Sequence, residues 1–153
     1  MRETSSVQAV NAPVQRVYAT LSNFENLRPA IERLRNDSNL HEKLREEGHA
    51  DAIELLSQIE LTADTISIPA PMLGTVSMKV IDREENKCIK IQTEQSPIAA
   101  TLWIQCLPVT EYTSKLRLTI DADIPFMLKA MVGSKVKNGI EKLAEGLARI
   151  PYL

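Results

Sequence analysis

The sequence has little of what would mark a specialised chemistry. Its two cysteines, Cys88 and Cys106, are too few for a disulfide framework. Both stand in apolar, strand-like stretches, where a small buried thiol is the ordinary outcome. Its two histidines, His41 and His49, lie near Glu42, Glu46 and Glu47, but without HExxH or comparable ligand spacing. No metal and no cofactor is therefore expected. GxSxG-type nucleophile motifs are absent. Neither charge sign prevails: 18 basic and 20 acidic residues leave a formal charge of −2, which supplies no basic face for nucleic acid. No segment nears the ~18 uninterrupted apolar residues of a membrane span. The opening Met1-Arg2-Glu3-Thr4-Ser5-Ser6 has no apolar core of signal-peptide length. These absences set the expectation of a soluble, cytoplasmic protein without a transmembrane segment.

What is present is an ordinary globular balance. At 44% hydrophobic and 25% charged, the 153 residues suit one packed domain spanning 1–153. Thr4–Val10 is short and β-prone. Asn11 offers an N-cap and Pro13 an early helical position, behind which Val14, Val17, Tyr18 and Leu21 follow the spacing of an amphipathic helix. A second helix is predicted over about Glu25–Arg35, starting or kinking at Pro29. After the turn cluster Asn36–Asn39, a helical pattern runs from Leu40 to Glu60 with a break at Gly48. Its charge run His41–Glu47 reads as a solvated face.

Beyond Glu60 the period changes to two. Ile66 and Ile68, then Val76, Met78 and Val80, then Ile89 and Ile91, then Leu116, Leu118, Ile120, Ala122 and Ile124 alternate with polar partners. That is the pattern of antiparallel strands with one buried and one wet face. Turn signals separate them at 69–74, 84–87, 96–97 and 108–114. Thr101–Leu107 departs from alternation, with apolar groups on both parities, and reads as a strand covered on both sides or meeting a partner. The chain closes with a helix over about Phe126–Arg149, whose stripe Leu128, Val132, Val136, Ile140, Leu143, Leu147 is the strongest periodic signal. Gly133, Gly139 and Gly146 inside it suggest close approach of another backbone, or room beside the helix. The fold class that buries both faces is α+β: a curved antiparallel sheet of about six strands wrapped around the long C-terminal helix, with short helices after the first strand.

The segment Val7–Phe24, with Val10-Asn11-Ala12-Pro13-Val14-Gln15-Arg16-Val17-Tyr18, resembles the opening of the START-like, or helix-grip (SRPBCC), superfamily. That superfamily includes polyketide cyclases, the birch-pollen-allergen proteins and lipid-transfer domains. The closing helix Phe126–Ile150 matches it as well. Ser96–Pro108 and Ala148–Leu153 are similar to bacterial, polyketide-cyclase-like members. The resemblance covers most of the chain, with Asp37–Gln58 as a helical elaboration. It implies a cavity between sheet and long helix that holds an apolar ligand.

Candidate residues follow from that frame. Met78, Ile91, Trp103, Ile120, Met131 and Val132 are expected to line the ligand space. Trp103, the only tryptophan, offers a flat wall, or else serves as a core or homodimer-interface residue. Met72, Met78, Met127 and Met131 are adaptable enough for variable ligands, or plain core filling. With Phe126, Met127 and Met131 would border the cavity mouth. Asp121 and Asp123 share a strand face, but the wet one, so they read as solvated rather than as a catalytic pair. Lys129, Lys135, Lys137 and Lys142, interrupted by Glu141 and Glu145, read as a solvated helix side. Three functions stay open: a non-enzymatic carrier of a small hydrophobic molecule or lipid, a cyclase- or aromatase-like enzyme, and a protein-interaction module. The near-absence of acid–base groups on the inward strand faces counts against the enzyme, with Tyr18 as its best inward hydroxyl.

Overall fold

The structure, a computed structural model, describes residues 1–70, 74–94, 96 and 98–152. Met72 and the turn residues Pro71 and Pro97 lie outside the described residues. Among the described residues eight antiparallel strands form one sheet: β1 (Arg2–Thr4), β2 (Gln8–Val10), β3 (Glu60–Leu61), β4 (Thr65–Ala70), β5 (Gly74–Glu84), β6 (Cys88–Glu94), β7 (Ala100–Pro108) and β8 (Ser114–Ala122). Their order is β1-β8-β7-β6-β5-β4-β3, and β2 also pairs with β8. The alternating segments therefore sit beside their neighbours in sequence, and the N-terminal residues return to complete the edge at β8.

The count exceeds the six expected for two reasons. A two-residue β3 precedes β4, and the first strand is divided between Thr4 and Gln8. Ser5 causes that division. Its N–H donates to the Leu118 carbonyl at 2.8 Å, and its hydroxyl accepts from the Leu118 N–H at 2.9 Å. Ser6 then turns away from the sheet, giving its N–H and its hydroxyl to the Glu141 carboxylate. A bulge between Val80 and Asp82 shifts the β5–β6 register, the usual way a strand is bent locally.

Helix α1 (Val14–Leu21) starts one residue after Pro13, whose fixed φ of −62° fits the cap position. Asn11 does not cap it, contrary to the sequence reading. The Pro13 carbonyl instead accepts from the N–H groups of Arg16 and Val17. A 3-10 turn at Phe24–Leu27 leads into α2 (Arg28–Asn36), with Pro29 in its first turn, where a missing N–H does no harm. The elaboration is a pair of helices, α3 (Ser38–Glu46) and α4 (Ala50–Ser57), joined through Gly48 at φ +79°. Asp37 caps α3 by accepting from the Leu40 N–H at 3.0 Å. Arg35 closes α4 by donating to the Leu56 and Ile59 carbonyls at 2.8 and 2.6 Å. Helix α5 (Phe126–Ala148) ends the regular structure, and Tyr152 folds back so that its hydroxyl donates to the Leu147 carbonyl.

The core lies on one face of the sheet. Val14, Val17 and Leu21 of α1 pack with Ile89, Ile104 and Cys106. Ile140 and Ala144 of α5 pack with Val10, Leu116 and Leu118. The main packing of α5 is against β8, β1 and β2, which is one edge of the sheet. That placement leaves part of the apolar stripe uncovered. Only Ile140 of the six stripe residues is buried, and Leu128 and Leu143 are exposed, because little of the sheet lies beneath them.

Candidate functional site

Register sorts the side chains into two faces, since residues directly opposite in a ladder share a face. One cross-strand row of the inner face is Val80, Ile91, Leu102, Ile120 and Glu3. The neighbouring row holds Met78 and Thr93, with Ala100 and Ala122. Met78 pairs with Ile66 on β4, and Val76 with Ile68. At one end of the sheet α1 and the C-terminal half of α5 close this face. At the other end burial falls: Ile66, Val76, Met78 and Ile120 are half-buried and Ile68 is exposed.

The first half of α5 shows the same change. Val132 and Val136 are half-buried, while Phe126 and Met127 are each 87% exposed and Met131 is 69% exposed. A Cβ added at Gly133 would meet only the Met1 thioether, Sδ at 3.8 Å, and one at Gly139 would meet nothing within 4 Å. Among the described residues no second backbone approaches either glycine, and Gly139, in the second half of the helix, faces solvent. Wide exposure of three large apolar side chains on one helix end is unusual for a folded surface.

Five of the six residues singled out from the sequence belong to these two surfaces. Ile91 is buried at the base of the inner face, Met78 and Ile120 are half-buried against the core cluster, Val132 is half-buried on α5, and Met131 stands exposed near the start of α5. Trp103 does not join them. It pairs with Lys90 on β6 and Thr119 on β8, on the outer face, opposite to its neighbours Leu102 and Ile104. Among the described residues no second layer of helices or strands covers it, and it is half-buried. The Arg2 guanidinium lies 5.2 Å and the Lys90 ammonium 5.7 Å from its ring centre. The strand read as covered on both sides is thus buried on one, with Gln105 and Leu107 exposed on the other.

Glu3 escaped the sequence reading, which began the first strand at Thr4. The register puts it on the inner face opposite Ile120, half-buried. On β6 of the same face, the hydroxyl of Thr93 is committed to the Ala100 backbone, accepting from its N–H at 2.9 Å. Tyr18 is half-buried against the core. Asp121 and Asp123 are exposed, and Asp121 lies 3.8 Å from the Met1 ammonium. His41 is half-buried, with Nε2 at 3.1 Å from the Leu34 carbonyl. Among the described residues no three metal-ligating side chains cluster. Cys106 is buried, and desolvation raises its thiol pKa to about 11. Cys88 is half-buried and raised by the same cause, with Glu84 and Asp82 adding to it. Neither environment favours a reactive thiolate. Among the described residues no helix is long and apolar enough to cross a membrane.

No protein-family model and no curated protein sequence matches the chain. Solved structures do. Norcoclaurine synthase from Thalictrum flavum superposes with a TM-score of 0.64 at 10% identity, over 97% of this chain and 86% of its own. A conserved protein from Geobacillus kaustophilus superposes at 0.53 and 15% identity, over 97% and 90%. A START superfamily protein from Mycobacterium smegmatis does so at 0.52 and 14%, over 95% and 98%. Likeness at such identities is a likeness of fold, and activity does not travel with it. With its antiparallel sheet, its closing C-terminal helix and these neighbours, the chain has the START-like, helix-grip fold.

Proposed function

We propose that this protein binds a small hydrophobic molecule between the open end of the inner sheet face and the N-terminal half of α5. The observation that carries the reading is the asymmetry of α5. Its second half is packed through Ile140 and Ala144, whereas Phe126, Met127 and Met131 in the first half cover nothing. In this reading Ile91 is the floor, Met78, Ile120 and Val132 are the walls, and Met131 stands at the mouth. Burial of the ligand's apolar surface would drive binding, at ~25 cal/mol per Å² before ordering costs. Methionines at the rim suit ligands of variable shape. Glu3 supplies a polar group at the edge of the wall, of the kind that orients a ligand.

The fold supports the reading by example. A structure of the Thalictrum flavum enzyme holds dopamine and hydroxybenzaldehyde. That enzyme also keeps the catalytic alternative in view, for which Glu3 is the inward carboxylate. The exposed apolar rim supports one further reading, association of two copies through Phe126 and Met127.

Native mass spectrometry of freshly purified protein, with denaturing extraction of whatever is bound, tests the proposal. A co-purifying apolar molecule at one per chain supports it. Protein free of any adduct, and without thermal shift from dodecanoate, dopamine or hydroxybenzaldehyde, overturns it. Sedimentation velocity on the same sample separates the self-association reading, which requires a dimer that Phe126→Ser abolishes.

A further inference from the structure

The outer face of the sheet carries a second feature, independent of the apolar face. A groove of about 340 Å³ is lined by Arg2, Thr4, Trp103, Gln105, Arg117 and Thr119. Its lining contains two guanidinium groups and no carboxylate. Both cations are held by neutral partners. Gln105 Oε1 accepts from Arg117 Nε at 3.0 Å and from Nη2 at 2.7 Å, and the Arg2 guanidinium stacks 5.2 Å from the centre of the Trp103 ring. Among the described residues three of the nine arginines, Arg28, Arg35 and Arg83, pair with a carboxylate within 4 Å, and Arg2 and Arg117 are among the six that do not. Asp121, opposite Arg2 in the ladder, is turned to the Met1 ammonium instead. Lys90 adds a third positive charge 5.7 Å from the Trp103 ring. The hydroxyls of Thr4 and Thr119, 3.3 Å apart, complete a donor-rich lining.

Arginines fixed in place without a counter-charge are what recognition of an anion requires. The fork is already oriented, so little side-chain freedom is lost when the anion arrives. Two guanidinium groups match a doubly charged oxyanion better than a single carboxylate. A phosphate monoester carries about −1.5 to −2 charges at neutral pH and three acceptor oxygens. We propose that this groove binds a small phosphate monoester, its phosphate taken by Arg117 and Arg2 with the threonine hydroxyls as further donors.

Trp103 is the only tryptophan, so its fluorescence reports this groove alone. Phenyl phosphate and inorganic phosphate, titrated at constant ionic strength, are expected to change that emission saturably. Sodium chloride and benzoate are expected to leave it unchanged. Isothermal titration of phenyl phosphate should give one site per chain, weakened about ten- to a hundredfold in Arg117→Gln, the range for loss of one charged hydrogen-bonding partner. Arg117 is exposed, so the variant should keep its circular dichroism. Arg2→Gln, read by calorimetry because Trp103 itself feels the change, should weaken binding similarly. A response to chloride or benzoate equal to that of phosphate, no saturation, or affinity unchanged in both variants overturns the proposal.

Discussion

Truncating Ile140 to alanine should unfold the protein far more easily than truncating Met131, although both lie in α5. Ile140 is 4% exposed and sits in the core cluster with Leu116 and Leu118. Losing three carbons at ~0.8 kcal/mol each gives about 2.4 kcal/mol, and the residual cavity raises the expected cost to about 3–4 kcal/mol. For a domain of this size that corresponds to a fall in Tm of roughly 6–16 °C. Met131 is 69% exposed, so its truncation should lie within about 0.5 kcal/mol of zero, helped by the higher helix propensity of alanine. Urea unfolding, followed by circular dichroism at 222 nm and by Trp103 emission, measures both, with equal m-values confirming that only stability changed. Similar losses for the two variants, or an Ile140→Ala cost below about 1 kcal/mol, would refute the division of α5 into a packed and an unpacked half.

Three further outcomes follow from particular groups. Cys106 has an ordinary thiol pKa of 9.0 that burial raises to about 11, so between those values the unfolded chain has lost a proton that the folded one keeps. The Cys106 contribution to stability should therefore be intact below pH 9 and be lost, by up to ~3 kcal/mol, as pH rises to about 11, while the buried Tyr152 hydroxyl, also raised above its ordinary 10.0, keeps stability falling at higher pH. Cys106→Ala should flatten that part of a pH series of urea midpoints, and an unchanged slope would count against the burial argument. Ser114 is buried and donates from Oγ to the Ala12 carbonyl at 2.9 Å, tying β8 to the entry of α1. Ser114→Ala should cost about 1–3 kcal/mol in the same assay, the usual cost of an orphaned buried acceptor. Arg35→Ala should release the Leu56 and Ile59 carbonyls and speed amide hydrogen exchange in α4 while leaving β6–β8 protected; uniform acceleration across the sheet would contradict a local role.

The strands were legible because Leu116, Leu118 and Ile120 alternate with Arg117 and Thr119, and only one pleat face can be buried in a two-layer packing. The bounds of α5 were equally legible between Pro125 and Pro151. Periodicity gives a face but not what faces it, so the stripe from Leu128 to Leu147 looked uniform although the sheet lies beneath only part of it. In β7 both parities are apolar, Leu102, Ile104 and Cys106 on one and Trp103 and Leu107 on the other, and nothing local decides between them. The larger ring went outward, where cations from β1 and β6 cover it. The division of β1 from β2 depends on Leu118 and Glu141, more than a hundred residues away, beyond any local pattern. The same distance hid the groove, whose arginines are 115 positions apart in sequence (117 − 2).

The reading of the inner face as a ligand site is tested most directly by nuclear magnetic resonance of protein labelled on its methionine methyl groups and titrated with sodium dodecanoate below its micelle concentration. Met78 and Met131 report the wall and the mouth, and Trp103 Nε1–H reports the opposite face. Saturable, one-to-one shifts of both methyl groups, with the indole signal unmoved, are the predicted result. Methyl signals that stay fixed, or a Met131 shift without one at Met78, would mean that the apolar rim does not lead to a site.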